Sequence, residues 1–172
     1  MPLDRSAFVG NFIDETQDNI RRVNDGAIVL KKDPENEEEL NAVLLAMHTI
    51  KGSASMFGFQ KVSEFAHSVE NVLDRVRDGT IAVTQQLIDL TLSARDQTRE
   101  LMDQEDPDAL AQAEQDARGL VEKLNALVEE AEQSEGRNRI TEVSEPGEEL
   151  GGIGESETGA AQGAGAGDSG GG

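Results

Sequence analysis

From Phe8 to Ala131 the apolar residues recur at steps of three and four, interrupted only at a few short breaks, and this spacing constrains the fold more than any other feature. Such a rhythm places each apolar set on one face of a helix and leaves no stretch with the alternation of a strand. The apolar material is 36% of the chain, yet aromatics are only 3% and Trp and Tyr are absent. Leu, Val, Ile and Ala therefore supply the core, which suits helices packed on helices.

The breaks divide the pattern into five helices. The first spans Leu3 to Lys32 with Phe8, Phe12, Ile13, Ile20, Val23, Ala27 and Leu30 on its apolar face, and Asp33-Pro34 ends it. Asn36 followed by Glu39 reads as a capping box opening a second helix, whose stripe is Leu40, Val43, Leu44, Met47 and Ile50. Phe57-Gly58-Phe59 is a turn in which Gly58 takes a positive φ while the two rings plug the end of a bundle. The third helix starts near Gln60, carries Val62, Phe65, Ala66, Val69, Leu73 and Val76, and is capped by Gly79. Thr84 caps a fourth, with Leu87, Ile88, Thr91, Ala94, Thr98 and Leu101 facing inward. Asp106-Pro107 pairs an N-cap residue with proline in the first turn and opens a fifth, lined by Leu110, Ala113, Ala117, Leu120, Leu124, Leu127 and Ala131. Short connections make neighbours antiparallel, so the expected fold is all-α: an antiparallel four-helix bundle with an additional fifth helix alongside or extending it. One domain over residues 1–133 is expected. Residues 134–172, rich in Gly, Glu, Ser and Ala, lack the apolar surface to offset chain entropy and read as a disordered acidic linker or tail.

Charge and composition exclude several functions. A formal charge of −20 repels nucleic acid and anionic lipid alike. The chain has no cysteine, which removes disulfides, thiolate metal sites and thiol nucleophiles. Asp4 comes early with no apolar run behind it, against a secretory signal, and no segment is long enough to cross a bilayer. A cytoplasmic address is the default expectation.

The chain has two histidines. His48 falls at the border of the second helix's apolar stripe, four residues after Leu44, and is expected to be partly exposed. Helical side chains lean toward the N-terminus, so a large residue at position 52 would cover the ring; Gly52 leaves it bare, and Ser53, Ala54 and Ser55 keep the next turn small. A glycine inside a helix costs about 1 kcal/mol relative to alanine. Close approach of a partner's active site justifies that cost, and close helix packing is the plainer alternative. On the third helix His67 and Glu70 are three apart, beside the apolar stripe. A carboxylate accepting from His48 Nδ1–H would fix the tautomer and leave the Nε2 lone pair for attack on phosphorus. Lys51, one turn from His48, would stabilise phosphoryl oxygens as a point charge. Taken singly, each of these is an ordinary surface residue; together they suggest a site.

The string His48-Thr-Ile-Lys51-Gly52-Ser-Ala54-Ser-Met-Phe57-Gly58-Phe59 resembles the phosphorylation motif of the N-terminal histidine phosphotransfer (HPt) domain of CheA-type chemotaxis histidine kinases, and His67-Ser-Val-Glu70-Asn71-Val-Leu73-Asp74 resembles that family's second motif. The likeness covers roughly the first 130 residues. It implies a bundle of HPt type, His48 as phospho-acceptor, Glu70 as its hydrogen-bond partner, and Lys51 and His67 as the rest of the polar cluster. It also implies an ATP-binding kinase domain as donor, in cis or in trans, and response regulators of CheY or CheB type as acceptors. Gly52, Ser53 and Ser55 would line the docking surface; the two serines stand where relatives often carry glycine, a difference that bears on which regulator docks. No Walker-type Gly-rich loop occurs, so ATP and magnesium are expected to belong to the partner kinase domain, with no cofactor and no metal in this chain. The tail reads as a tether to further kinase domains; a free-standing relay protein outside chemotaxis is the alternative.

Two other classes are distinguishable. Glu64 and His67 have the Glu-x-x-His spacing of di-iron bundles, but Leu45 stands where His48 would need its glutamate, and the set fails. A purely structural bundle leaves an uncovered histidine followed by glycine without purpose.

Overall fold

The structure, a computed structural model, describes residues 5–143. Five helices follow in order: α1 (Arg5–Lys32), α2 (Glu37–Phe57), α3 (Gln60–Arg77), α4 (Gln85–Asp103) and α5 (Pro107–Val143). Among the described residues there is no strand, and no helix is long and apolar enough to cross a membrane. α1 packs on α2 and α4, and α3 packs on the same two helices; α1 does not meet α3, and α2 does not meet α4. The four therefore stand at the corners of a square, with successive helices antiparallel because their connections are short. α5 lies in the groove between α3 and α4.

Local chemistry closes the N-termini of α2, α4 and α5 and the C-termini of α2 and α3. The Asn36 side chain accepts from Glu39 N–H at 3.0 Å, Thr84 from Leu87 N–H at 3.2 Å and Asp106 from Ala109 N–H at 3.1 Å. The second half of the expected capping box does not form. Glu39 reaches Arg22 on α1 at 2.9 Å, and Asn36 N–H donates to Asp33 C=O. Gly58 (φ 83°) and Gly79 (φ 81°) both occupy the left-handed position that ends a helix. Behind them, Phe59 N–H donates to Ala54 C=O and Thr80 N–H to Arg75 C=O, the reversed bonds of the Schellman turn.

The core follows the apolar stripes closely. Phe12 lies between the rings of Phe57 and Phe59, with centroids 5.0 and 4.8 Å away, and these three close one end of the bundle. Phe8, expected on the same stripe, is instead 48% exposed, one turn before Phe12 on α1. Gly26 of α1 is a packing glycine: a Cβ there would overlap Val43 Cγ2 on α2. Buried Gln97 ties α4 to α5 through a 2.7 Å bond from its amide to Ala113 C=O.

α5 stays helical to Val143, ten residues past the limit expected at Gln133. Among the residues whose burial is described, the buried positions of α5 end at Leu127, with Ala131 partly buried against the core. The rest of the expected disordered segment, 144–172, lies outside the described residues.

Candidate functional site

Antiparallel α2 and α3, joined by the two-residue turn at Gly58-Phe59, bring residues near 48 on one helix opposite residues near 70 on the other. His48 Nδ1 and Glu70 Oε1 are 2.7 Å apart, and Lys51 Nζ meets the other oxygen, Oε2, also at 2.7 Å. The gradient of exposure matters. The His48 side chain is 60% exposed, Lys51 27% and Glu70 12%. The imidazole stands in solvent while the group that orients it is sheltered beneath.

Burial is the largest influence on the Glu70 carboxyl and raises its pKa. The hydrogen bonds from Lys51 and His48, together with the charges of both, outweigh that effect and hold it below the ordinary carboxylate value. Near neutral pH Glu70 is therefore an anion that only accepts. His48 Nδ1 must then be the donor, and in the neutral ring Nε2 keeps its lone pair and faces outward. A chemically competent nucleophile results, oriented from behind and open in front.

The other expected residues divide. Lys51 is not a free point charge; its ammonium is engaged by Glu70. His67 is exposed on α3 and forms no hydrogen bond with His48, Lys51 or Glu70. Gly52 is exposed, and a Cβ built on it would meet nothing within 4 Å, so close helix packing does not explain this glycine. Ser55 is exposed two turns beyond His48, on the same face. Ser53 is half-buried and lies about 140° around the helix from His48, away from that face.

Residues not singled out by sequence complete the surface. Leu45, three before His48, is 64% exposed, and Met56, eight after it, is 83% exposed. Both lie on the His48 face of α2, with Gly52 between the ring and Met56. Apolar residues standing on the polar side of a helix, in register with a histidine, were the available signal. A shallow groove of about 210 Å³ runs from His48 and Glu70 past Leu44 and Leu45 to the Asp74–Arg77 ion pair. A larger cleft of about 340 Å³ between α3 and α5, floored by Phe65 and Val121, contains neither histidine. Among the described residues no three His, Asp or Glu side chains converge as a metal ion requires.

Comparison with known proteins agrees with this geometry. The chemotaxis protein CheA of Listeria monocytogenes is 39% identical over 79 residues, covering 46% of this chain and 13% of that protein. The chain thus spans only a small part of the length of this curated relative. The CheA phosphotransferase domain from Thermotoga maritima superposes with a TM-score of 0.53 at 35% identity, covering 55% of this chain and 91% of that one. A solution structure of the histidine phosphotransfer domain of CheA gives a TM-score of 0.59 at 27% identity, over 70% and 90% of the two chains. The Hpt domain model matches residues 7–134, and on that match, with five helices and an exposed histidine backed by a carboxylate, the chain belongs to the Hpt domain family.

Proposed function

We propose that this chain is the phosphotransfer module of a chemotaxis-type two-component system, with His48 as the residue that carries the phosphoryl group. The lone pair of His48 Nε2 attacks the γ-phosphorus of ATP held by a CheA-type kinase domain. A P–N bond forms, the bond to the bridging oxygen breaks, and ADP leaves. Positive charge develops on the ring as this happens, and the Glu70 carboxylate 2.7 Å from Nδ1 is placed to stabilise it. In the second transfer a carboxylate oxygen of a response-regulator aspartate attacks the same phosphorus. The P–N bond breaks and the imidazole returns to its neutral form. Little covalent chemistry is asked of the module, so placement and electrostatics carry the rate.

The observation that supports this reading best is the combination at one residue: a ring 60% exposed whose Nδ1 is hydrogen-bonded to a carboxylate only 12% exposed. Gly52, Leu45 and Met56 extend the argument to docking. The glycine removes obstruction beside the ring, and the two exposed apolar side chains give a partner something to bury. Membership of the Hpt family supports a kinase domain as donor and a response regulator as acceptor; the donor is proposed to bring ATP and magnesium, and the acceptors to be regulators of CheY or CheB type. A cytoplasmic address is proposed with them. Glu70 is proposed as the orienting acid, Lys51 as the cation that keeps it ionised, and His67 as an outlying polar residue of the same face of α3.

The test is labelling. With a CheA-type kinase domain and ATP the chain is expected to acquire an acid-labile phosphoryl group, and a response-regulator receiver domain is expected to remove it. His48→Gln should abolish labelling while His67→Gln retains it. Label persisting on the His48→Gln protein would refute the assignment.

A further inference from the structure

The His48–Glu70 bond joins two helices, and its length depends on how far α2 has slid along α3. The buried apolar residues of α3, Val62, Ala66 and Val69 among them, join the common core through contacts that carry no direction of their own. A directional contact is present beside them. The Ser63 hydroxyl, on a residue only 8% exposed, donates to the Lys51 backbone carbonyl at 3.0 Å. Among the described residues it is the one side-chain hydrogen bond from α3 to the α2 backbone. A carbonyl oxygen has two acceptor sites, so the bond is made without breaking the ladder of α2.

Lys51 is consequently held by α3 at two places: its carbonyl by Ser63, and its ammonium by Glu70 at 2.7 Å. Ser63 and Glu70 are two turns apart on α3, about 10.5 Å along its axis. Attachment at two separated points resists both sliding and rolling of α2. We infer that Ser63 is a positioning residue, setting the register of α2 against α3 so that Glu70 can hold the His48 ring in its Nδ1–H form. The inference rests on His48 being the acceptor. Ser63 itself is buried and touches no partner, so its influence passes through Lys51 and Glu70.

The test pairs kinetics with the ring's own spectrum. Ser63→Ala, Ser63→Thr and Leu127→Ala are compared with the unaltered chain; Leu127 is buried on α5, which does not touch α2, and serves as a destabilised reference. Imidazole ¹⁵N shifts of His48 are recorded at about pH 8.5, where a histidine is ordinarily neutral. Phosphorylation by a CheA-type kinase domain and ATP gives kcat and KM for the module. Ser63→Ala is expected to lower kcat roughly threefold to tenfold at unchanged KM, and to turn a single Nδ1–H pattern into a mixture of tautomers. Ser63→Thr, which keeps the hydroxyl, should match the unaltered chain in both, and Leu127→Ala should lose thermal stability with the ring pattern intact. An unaltered ring and kcat in Ser63→Ala, failure of the threonine to rescue, or the same ring change in Leu127→Ala would each overturn the inference. Labelling of His48→Gln would instead defeat the acceptor assignment, while the ring spectra would still report whether Ser63 sets the tautomer.

Discussion

Replacing Glu70 with alanine removes the acceptor from His48 Nδ1 and frees Lys51 at the same time. A hydrogen bond to a charged group contributes about 1.5–3 kcal/mol. Only the strengthening of that bond bears on the rate, because the ring becomes cationic as the P–N bond forms and the carboxylate interacts more strongly in the transition state than before it; that strengthening is taken to be of the same order, about 1.5–3 kcal/mol. At about 1.36 kcal/mol per decade the loss corresponds to phosphorylation roughly tenfold to a hundredfold slower. The fold should survive. His48 is 60% exposed and can bond to water, and alanine is the best helix former at a helical position. The assay is the initial rate of acid-labile phosphate incorporation with excess kinase domain and ATP, alongside far-UV circular dichroism to establish helicity. A Glu70→Ala protein with unchanged helicity and a rate within about twofold of the unaltered chain would refute the orienting role, since the smallest estimate above already exceeds that.

Three further outcomes follow from the same geometry. Gly52→Leu, with open space at the Cβ position, should keep or gain thermal stability yet slow transfer by about tenfold or more, because the new side chain leans back over His48; equal rates would remove the open-approach explanation. Gly26→Ala should destabilise the domain by about 1–3 kcal/mol in urea unfolding, since its Cβ overlaps Val43 Cγ2, and a gain in stability would show that α1 and α2 separate freely. Because the Glu70 pKa is lowered on folding, its stabilising contribution is complete above the unfolded value near 4.5 and is lost as pH falls through the lower folded value. The stability gap between the unaltered chain and Glu70→Gln should accordingly narrow in that acid range, and a gap that widened there would contradict the sign.

Much of this fold is legible in the sequence because helix chemistry is local. Asn36, Thr84 and Asp106 cap the helices they precede, and Gly58 and Gly79 end the helices they follow, each through bonds reaching no more than five residues along the chain. The pairing of His48 with Glu70 was also readable, since each flanks an apolar stripe and the short turn makes their helices antiparallel. What escaped depends on a partner far along the chain. Gly26 looks like a costly glycine until Val43 is placed against it, and Ser63 looks like a surface serine until the Lys51 carbonyl faces it. Thr16 is 1% exposed with no partner for its hydroxyl, and periodicity alone does not separate such a polar residue from its exposed neighbours. Sequence shows the distance of Lys51 from His48 along α2 but not that Glu70 engages its ammonium. At α5, the composition after Gln133 argued against packing, and the helix nonetheless propagates to Val143.

The proposed transfer depends on one nitrogen atom. Heteronuclear NMR of the phosphorylated chain, correlating phosphorus with the ¹⁵N-labelled imidazole of His48, reads directly where the phosphoryl group sits. A single bond to Nε2 is expected, with Nδ1 still protonated toward Glu70. Phosphorus bonded to Nδ1, or to any residue other than His48, would contradict it.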